Sequence, residues 1–372
     1  MRSSSKKIPH VYFNNLDALR FFAAFSVLIF HFSKDVLGRI DESQLNTFQD
    51  FLFSVADKGK LGVNFFFVLS GFLITFLILH EQKHKGFFDL KKFLIRRTLR
   101  IWPLYFLIVL IGFVLFPLII SDYETSHNAW MYVAFLANFD EINNGLNDSV
   151  NFLTSPWSVA VEEQFYLFWG ILCLGLFQLK KISWPTLFIV FYLICFAFRW
   201  KHWSEERIIY YHTLAVFQDI ITGAVIGWSV FTRKNWISRL QKVSKLGNLL
   251  IYLIGFGICI FKNKIFINEW VVMERFVLSL FFAYIILDQI NGKHSLLKFG
   301  RIKLFNYLGR ISYGLYMYHL VVMYLFVDIF LNETTSLAEA LTYLAMSIAA
   351  TVGIASLSYY LIEKPLLQLK PK

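Results

Sequence analysis

The chain has 372 residues, of which 57% are apolar, 19% aromatic and only 16% charged, and its mean hydropathy is +0.55. That balance excludes an ordinary soluble globule. The net charge of +11 does not call for a nucleic acid, because anionic headgroups and the cytoplasmic bias of basic residues account for it.

Apolar residues run in about ten blocks near the roughly 20-residue length that a spanning helix needs. They are 16–37, 61–80, 101–121, 157–179, 184–203, 211–231, 247–262, 271–290, 313–331 and 337–362, the seventh being the shortest. The longest gap, from Asp122 to Pro156, is too short for a soluble domain. The sequence therefore predicts an all-α, polytopic membrane protein forming one domain over 1–372. Its start, Met1-Arg-Ser-Ser-Ser-Lys-Lys, is not followed by a small-x-small cleavage site, so a retained first helix is expected.

The first block carries Arg20 and His31, ionisable residues that are costly in hydrocarbon unless something uses them. At about 100° and about 1.5 Å per residue, the eleven-position spacing returns to nearly the same face, roughly 16 Å further along. A basic anchor with a proton-accepting imidazole at another depth suggests a reaction site. Asp35, one turn beyond His31, either orients the imidazole or is a solvated helix-end carboxylate. The second block begins Lys60-Leu-Gly-Val-Asn-Phe-Phe-Phe-Val-Leu-Ser-Gly-Phe-Leu-Ile74 and contains Ser70.

The next link holds Arg96, Arg97 and Arg100, whose guanidinium groups converge if the segment is helical. Arginine forks suit phosphate oxygens. The plain reading is a flank that snorkels to lipid phosphates; Arg20 approaching the same membrane face favours one cationic pocket for a phosphorylated cofactor. Further on, Ser155-Pro-Trp-Ser-Val-Ala-Val-Glu-Glu-Gln-Phe-Tyr166 opens the fourth span. The helix dipole accounts for Glu162 or Glu163 near a helix start, but not for two carboxylates leading into an apolar run. In the ninth span Tyr313, Tyr316 and His319 share a stripe. A buried His beside tyrosines is commonly a hydrogen-bonded packing residue, which ranks His319 below His31. Cys173, Cys195 and Cys259 lie singly in apolar blocks and read as core residues, and no metal site, Walker loop or dinucleotide fingerprint is present in the sequence.

Basic residues orient the chain. Alternate links, counting both termini, carry 25 lysines and arginines against 9 on the remaining links. Both termini are therefore expected to be cytoplasmic.

Taken together, Arg20-x10-His31, the 60–74 motif, Arg97-x-x-Arg100, Trp157-Ser-Val-x-x-Glu-Glu-Gln-Phe-Tyr166, Ser312-Tyr-x-x-Tyr-x-x-His319 and Glu363-Lys-Pro resemble the acyltransferase 3 membrane family, over residues 15–365. The resemblance implies a bacterial inner-membrane enzyme that O-acylates extracytoplasmic carbohydrate, such as lipopolysaccharide O-antigen, exopolysaccharide or peptidoglycan. It implies cytoplasmic acyl-CoA as co-substrate, acetyl-CoA foremost, with no permanently bound cofactor. His31 would be the catalytic centre with Arg20 required, Arg97 and Arg100 would contact CoA phosphates with Arg96 beside them, and Glu162, Glu163 and His319 match positions of less settled role. Ser70, Asp35, Tyr313 and Tyr316 would be structural or acceptor-side. The arginine that many relatives carry before the sixth helix finds no match in register with Arg207, His212, Asp219 and Gly223. Some relatives add an extra helix and an esterase-like domain; a stand-alone form is expected here.

In that reading His31 either deprotonates the acceptor hydroxyl for direct attack, worth about 10²–10⁴-fold, or carries the acyl group itself. Two other classes compete. A transporter would share the spans and intramembrane charges but normally shows a repeat with paired broken helices, which is not evident. A glycerolipid acyltransferase is suggested by His84-Lys-Gly-Phe-Phe-Asp89, a His-x4-Asp pattern, although it lies in a short basic link. A non-catalytic sensor is a third possibility.

Overall fold

The computed structural model describes residues 13–37, 39, 46–120, 123, 125–144, 152–179, 183–240, 242–296, 298–331 and 336–371, among which there is no strand. Arg2, Lys6, Lys7, Lys180, Lys181 and Lys372 of the orientation count lie outside them. All ten apolar blocks are helical: α1 (Asn14–Leu37), α2 (Leu61–Lys85), α3 (Leu90–Leu110), α4 (Pro156–Leu179), α5 (Trp184–Lys201), α6 (Thr213–Phe231), α7 (Lys245–Ile265), α8 (Val271–Asn291), α9 (Ser312–Phe330) and α10 (Leu337–Ser358). Among the described residues, nine stretches are long and apolar enough to cross a membrane; α9 falls short, with an apolar run of Ser312–Val327. It lies inside the bundle, with Met317, His319 and Met323 fully buried.

Local chemistry sets the helix ends. Asp89 accepts from the Lys92 amide at 3.0 Å and so starts α3, Ser183 caps α5 with a proline in its first turn, and Ser336 with Glu339 forms a capping box on α10. Gly86, at φ +81°, ends α2 in the left-handed conformation that glycine adopts without strain.

The core of the bundle is the α2–α6 seam. A Cβ on Gly71 would lie 1.9 Å from the Ile220 carbonyl oxygen, and one on Gly223 would lie 2.0 Å from that of Val68. The two backbones touch, as small residues permit between membrane helices. Beside the seam Arg275 of α8 donates to Asp219 of α6 at 2.5 Å, and Asn64 of α2 donates to the same oxygen at 3.1 Å. Arg199 donates to the carbonyls of Ile209, Ala215, Val271 and Val272. Buried charge thus ties α2, α5, α6 and α8 together, and the three cysteines are buried and free.

Both described chain ends meet at one end of the bundle. Asn15 donates to the Gln289 carbonyl at 2.5 Å and accepts from the Gly300 amide at 3.1 Å, while the last helical turn, Lys364–Gln368, packs on α3. That arrangement requires an even number of crossings.

The gap between α3 and α4 is not a plain link. Helices Ala129–Val133 and Ala137–Asn144 form a hairpin whose turn residue Phe135 stacks on Tyr105 at 4.5 Å and meets Trp102 at 5.4 Å. At about 1.5 Å per residue, Trp102 lies roughly 25 Å along α3 and its extension from Ile119, so the hairpin re-enters the bundle. Such backbone is tolerated at that depth because protein buries it. Gln164 donates to the Phe135 carbonyl at 2.7 Å, and Asp140 holds His127 at 2.5 Å. Glu141 beside them is buried, which, with the charge of Asp140, raises its pKa to about 8.

Candidate active site

Three arginines from two helices line one cavity of about 100 Å³ between α1, α2, α3, α4 and α9, together with Ser70, Glu162, Tyr166, Ser158, Tyr313 and Tyr316. Ser158, Glu162 and Tyr166 stand four apart along α4 and so present one face. They make the cavity about 12 Å long, from Tyr166 to Ser158. Arg97 and Arg100 lie toward the end of the bundle where the chain ends meet.

The arginines differ in what they touch. Arg20 is paired with Asp17 at 2.5 Å. Arg97 lies over the rings of Phe93 and Tyr166, and its buried Nε has no hydrogen-bond partner among the described residues. Arg100 has no ion-pair or hydrogen-bond partner among the described residues, while Glu363, buried in a π-helical turn, lies within its electrostatic reach. Arg96 points away and pairs with Glu81 at 2.8 Å, with Lys85 on the other oxygen at 2.7 Å. The grouping of Arg96 with Arg97 and Arg100 is thus corrected: consecutive helix positions diverge by about 100°, and Arg96 staples α3 to α2. Lys370, missed in the sequence, stands beside all three arginines; burial and their charge lower its pKa to about 7.

The two glutamates separate in the same way. Glu162 accepts from Ser70 at 2.5 Å and from Tyr166 at 2.9 Å, inside the cavity. Glu163 accepts from the Trp102 indole at 3.1 Å and lies outside it. Tyr313 donates to the Ile101 carbonyl at 2.8 Å, and the Tyr316 hydroxyl is 2.7 Å from that of Ser158.

His31 is not a wall of the cavity. Its ring lies 5.2 Å from that of His319, and His319 lies 5.8 Å from the Tyr316 ring that lines the cavity. The imidazole pair therefore stands one helical turn beyond the cavity, away from the arginines. His319 is fully buried; its Nδ1 lies 2.6 Å from the Tyr316 carbonyl, and its Nε2 has no hydrogen-bond partner among the described residues. Asp35 accepts from Tyr343 of α10 at 2.5 Å. It is buried rather than solvated, and among the described residues its hydrogen bond is to a tyrosine rather than to the imidazole.

Elsewhere, Asp219 is claimed by Arg275, whereas Arg207 is exposed and the imidazole of His212 caps α6 by accepting from the Leu214 amide at 3.2 Å. His84 ends α2 with its Nδ1 2.9 Å from the His80 carbonyl, and Asp89 caps α3, so each member of the His-x4-Asp pattern has a helix-end role. Arg275 and Lys370 carried no motif and were invisible as partners in the sequence. Tyr166 and Ser158 were recoverable from their spacing to Glu162.

Fold and cavity together define a multi-pass membrane protein with a cationic pocket inside a helix bundle. The sequence model of the acyltransferase 3 family, described as an acyltransferase domain, matches residues 13–359, and the chain belongs to that family. It is 27% identical over 377 residues to the O-acetyltransferase OatA of Staphylococcus aureus strain NCTC 8325, an alignment covering 95% of this chain and 57% of that protein. A candidate O-acetyltransferase of Staphylococcus aureus strain COL is 25% identical over 372 residues, with the same coverage. The chain thus spans little more than half the length of these relatives. No solved structure matches it.

Proposed function

We propose that this protein transfers an acyl group, acetyl foremost, from cytoplasmic acyl-CoA to a hydroxyl of an extracytoplasmic carbohydrate, from a seat in the bacterial inner membrane with both termini cytoplasmic. The observation that carries the reading is the cavity floor. Arg97 and Arg100 are cationic, enclosed and without ion partners among the described residues, a state that an anionic ligand would relieve. Phosphate oxygens match arginine forks. With the arginine end facing the cytoplasm, as the basic links direct, the CoA phosphates would sit on Arg97, Arg100 and Lys370, and the pantetheine arm would run along the cavity toward Ser70 and Glu162.

Acetyl is put foremost because the matching relatives are named O-acetyltransferases. His31, with His319 at its side, takes the acceptor side, because the pair stands toward the bundle end opposite the arginines. That division puts donor and acceptor at opposite ends of the bundle, so neither substrate crosses the membrane.

Mass spectrometry of cell-surface glycans from cells with and without the gene tests the reading. It predicts a 42-dalton acetyl increment on a glycan that depends on the gene and on His31, as the mass of an acetyl replacing a hydrogen requires. Identical glycans in both, with product formation in vesicles independent of acetyl-CoA, would overturn it.

A further inference from the structure

Of the three serines that line the cavity, Ser158 is bonded to the hydroxyl of Tyr316, Ser312 has no carboxylate partner among the described residues, and Ser70 donates to a glutamate. The Ser70–Glu162 bond is 2.5 Å long. Glu162 is held in turn by Tyr166 at 2.9 Å, so the carboxylate is aimed at the serine from a fixed position. A serine hydroxyl becomes a nucleophile when a base lies within hydrogen-bond reach and that base is oriented by a third group. The backbone beneath Ser70 is equally fixed, because Gly71 is pressed against the Ile220 carbonyl. Ser70 therefore has a rigid seat, an adjacent base and an open wall on the cationic cavity. Neither His31 nor His319 lines that cavity.

From this geometry we infer that Ser70 is the acyl carrier of a two-step transfer, with Glu162 as its base. The inference rests on the proposed function and specifies its chemistry. In the first step the Ser70 oxygen attacks the thioester carbonyl, its proton moves to Glu162, and the carbon–sulfur bond breaks. Glu162 passes that proton to the departing sulfur, and CoA leaves as the thiol toward the cytoplasm. In the second step the acceptor enters from the His31 side and its hydroxyl attacks the Ser70 ester; its proton moves to Glu162, the ester bond to Ser70 breaks, and Glu162 returns the proton to the serine oxygen. The acyl group ends on the acceptor oxygen, and both carboxylate and serine return to their starting forms. A carrier midway along the cavity also explains why the arginines and the imidazoles are one helical turn and a cavity length apart.

The test uses the full chain, purified in detergent, with acetyl-CoA labelled in the acetyl group and no acceptor. Expected are a burst of CoA approaching one per chain, a hydroxylamine-labile label, and its location on the peptide containing Ser70 by mass spectrometry. Ser70→Ala should lose burst and label together while still binding CoA, which shows that its cavity is folded. His31→Ala should retain the label, because it blocks only the second step, and should lose at least 100-fold in transfer to glycan. Wild-type protein that acetylates glycan in vesicles with no ester on Ser70 under rapid quench, or with label on His31 instead, overturns the carrier and leaves the proposed function standing. Failure to take acetyl from acetyl-CoA or to acylate any glycan overturns both.

Discussion

The α2–α6 seam and the arginine cavity lie on opposite sides of α2, and they use polar groups in opposite ways. On the seam side, backbones touch through Gly71 and Gly223, and the buried charge of Asp219 is met by Arg275 and Asn64. On the cavity side, among the described residues, the Arg97 Nε is left without a hydrogen-bond partner and Glu162 is held by the hydroxyls of Ser70 and Tyr166. Burying ionic groups is costly in either place. The seam pairs its cation with its anion, whereas Arg97 and Arg100 meet no carboxylate in an ion pair among the described residues, which is the expected signature of a site whose partner arrives from outside.

The contrast makes different predictions for the two sides. On the cavity side, His31→Ala and Glu162→Gln should each lower the turnover of acceptor acylation by about 10²–10⁴-fold with little change in melting temperature; an unchanged turnover in either variant removes that residue from the chemistry. On the seam side, Arg275→Ala leaves Asp219 buried and uncompensated and should destabilise the fold by about 3–5 kcal/mol, read as loss of monodisperse protein on heating. A smaller change follows for Gly223→Ala, whose added carbon meets the Val68 carbonyl and should cost about 1–3 kcal/mol with the affinity for CoA intact. If Gly223→Ala weakened CoA binding as much as it lowered the melting temperature, the two sides would not be separable.

The smallest effect concerns the re-entrant hairpin. Burial raises the folded-state pKa of Glu141 to about 8 from 4.5, so the folded protein holds a proton that the unfolded chain releases between those values. Stability is then greatest at the acid side of that window and falls as pH rises through it. Melting temperatures measured from pH 5 to 8.5 should decline in the wild type and flatten in Glu141→Gln; parallel slopes would show that Glu141 is not the group responsible.

Much of this was legible in the sequence, though not evenly. Apolar block length gave the helices because lipid demands a continuous run, and α9 read as a span although burial within protein lets its apolar run be short. The Arg20–His31 spacing set the two groups at different levels along α1, since helical rise is fixed by geometry. What spacing could not provide was which neighbour each side chain meets. Arg96 and Arg97 are adjacent in sequence, yet one pairs with Glu81 and the other lines the cavity. Glu162 and Glu163 part in the same way, between Ser70 and Trp102. Asp219 and Arg275 are 56 positions apart and share no motif, so their pairing is a product of tertiary packing. The hairpin at 129–144 was equally hidden, because its aromatic residues follow no spanning pattern.

If Arg97 and Arg100 form a CoA site, calorimetric titration of the purified full chain with CoA will report it. Removing one charged hydrogen-bonding group costs about 1.5–3 kcal/mol, so Arg97→Ala and Arg100→Ala should each weaken binding by about 10- to 150-fold, whereas Arg96→Ala, whose partner is Glu81, should change it by no more than about threefold. No binding by the wild type, or equal losses at Arg96 and Arg100, would show that these arginines do not form the site.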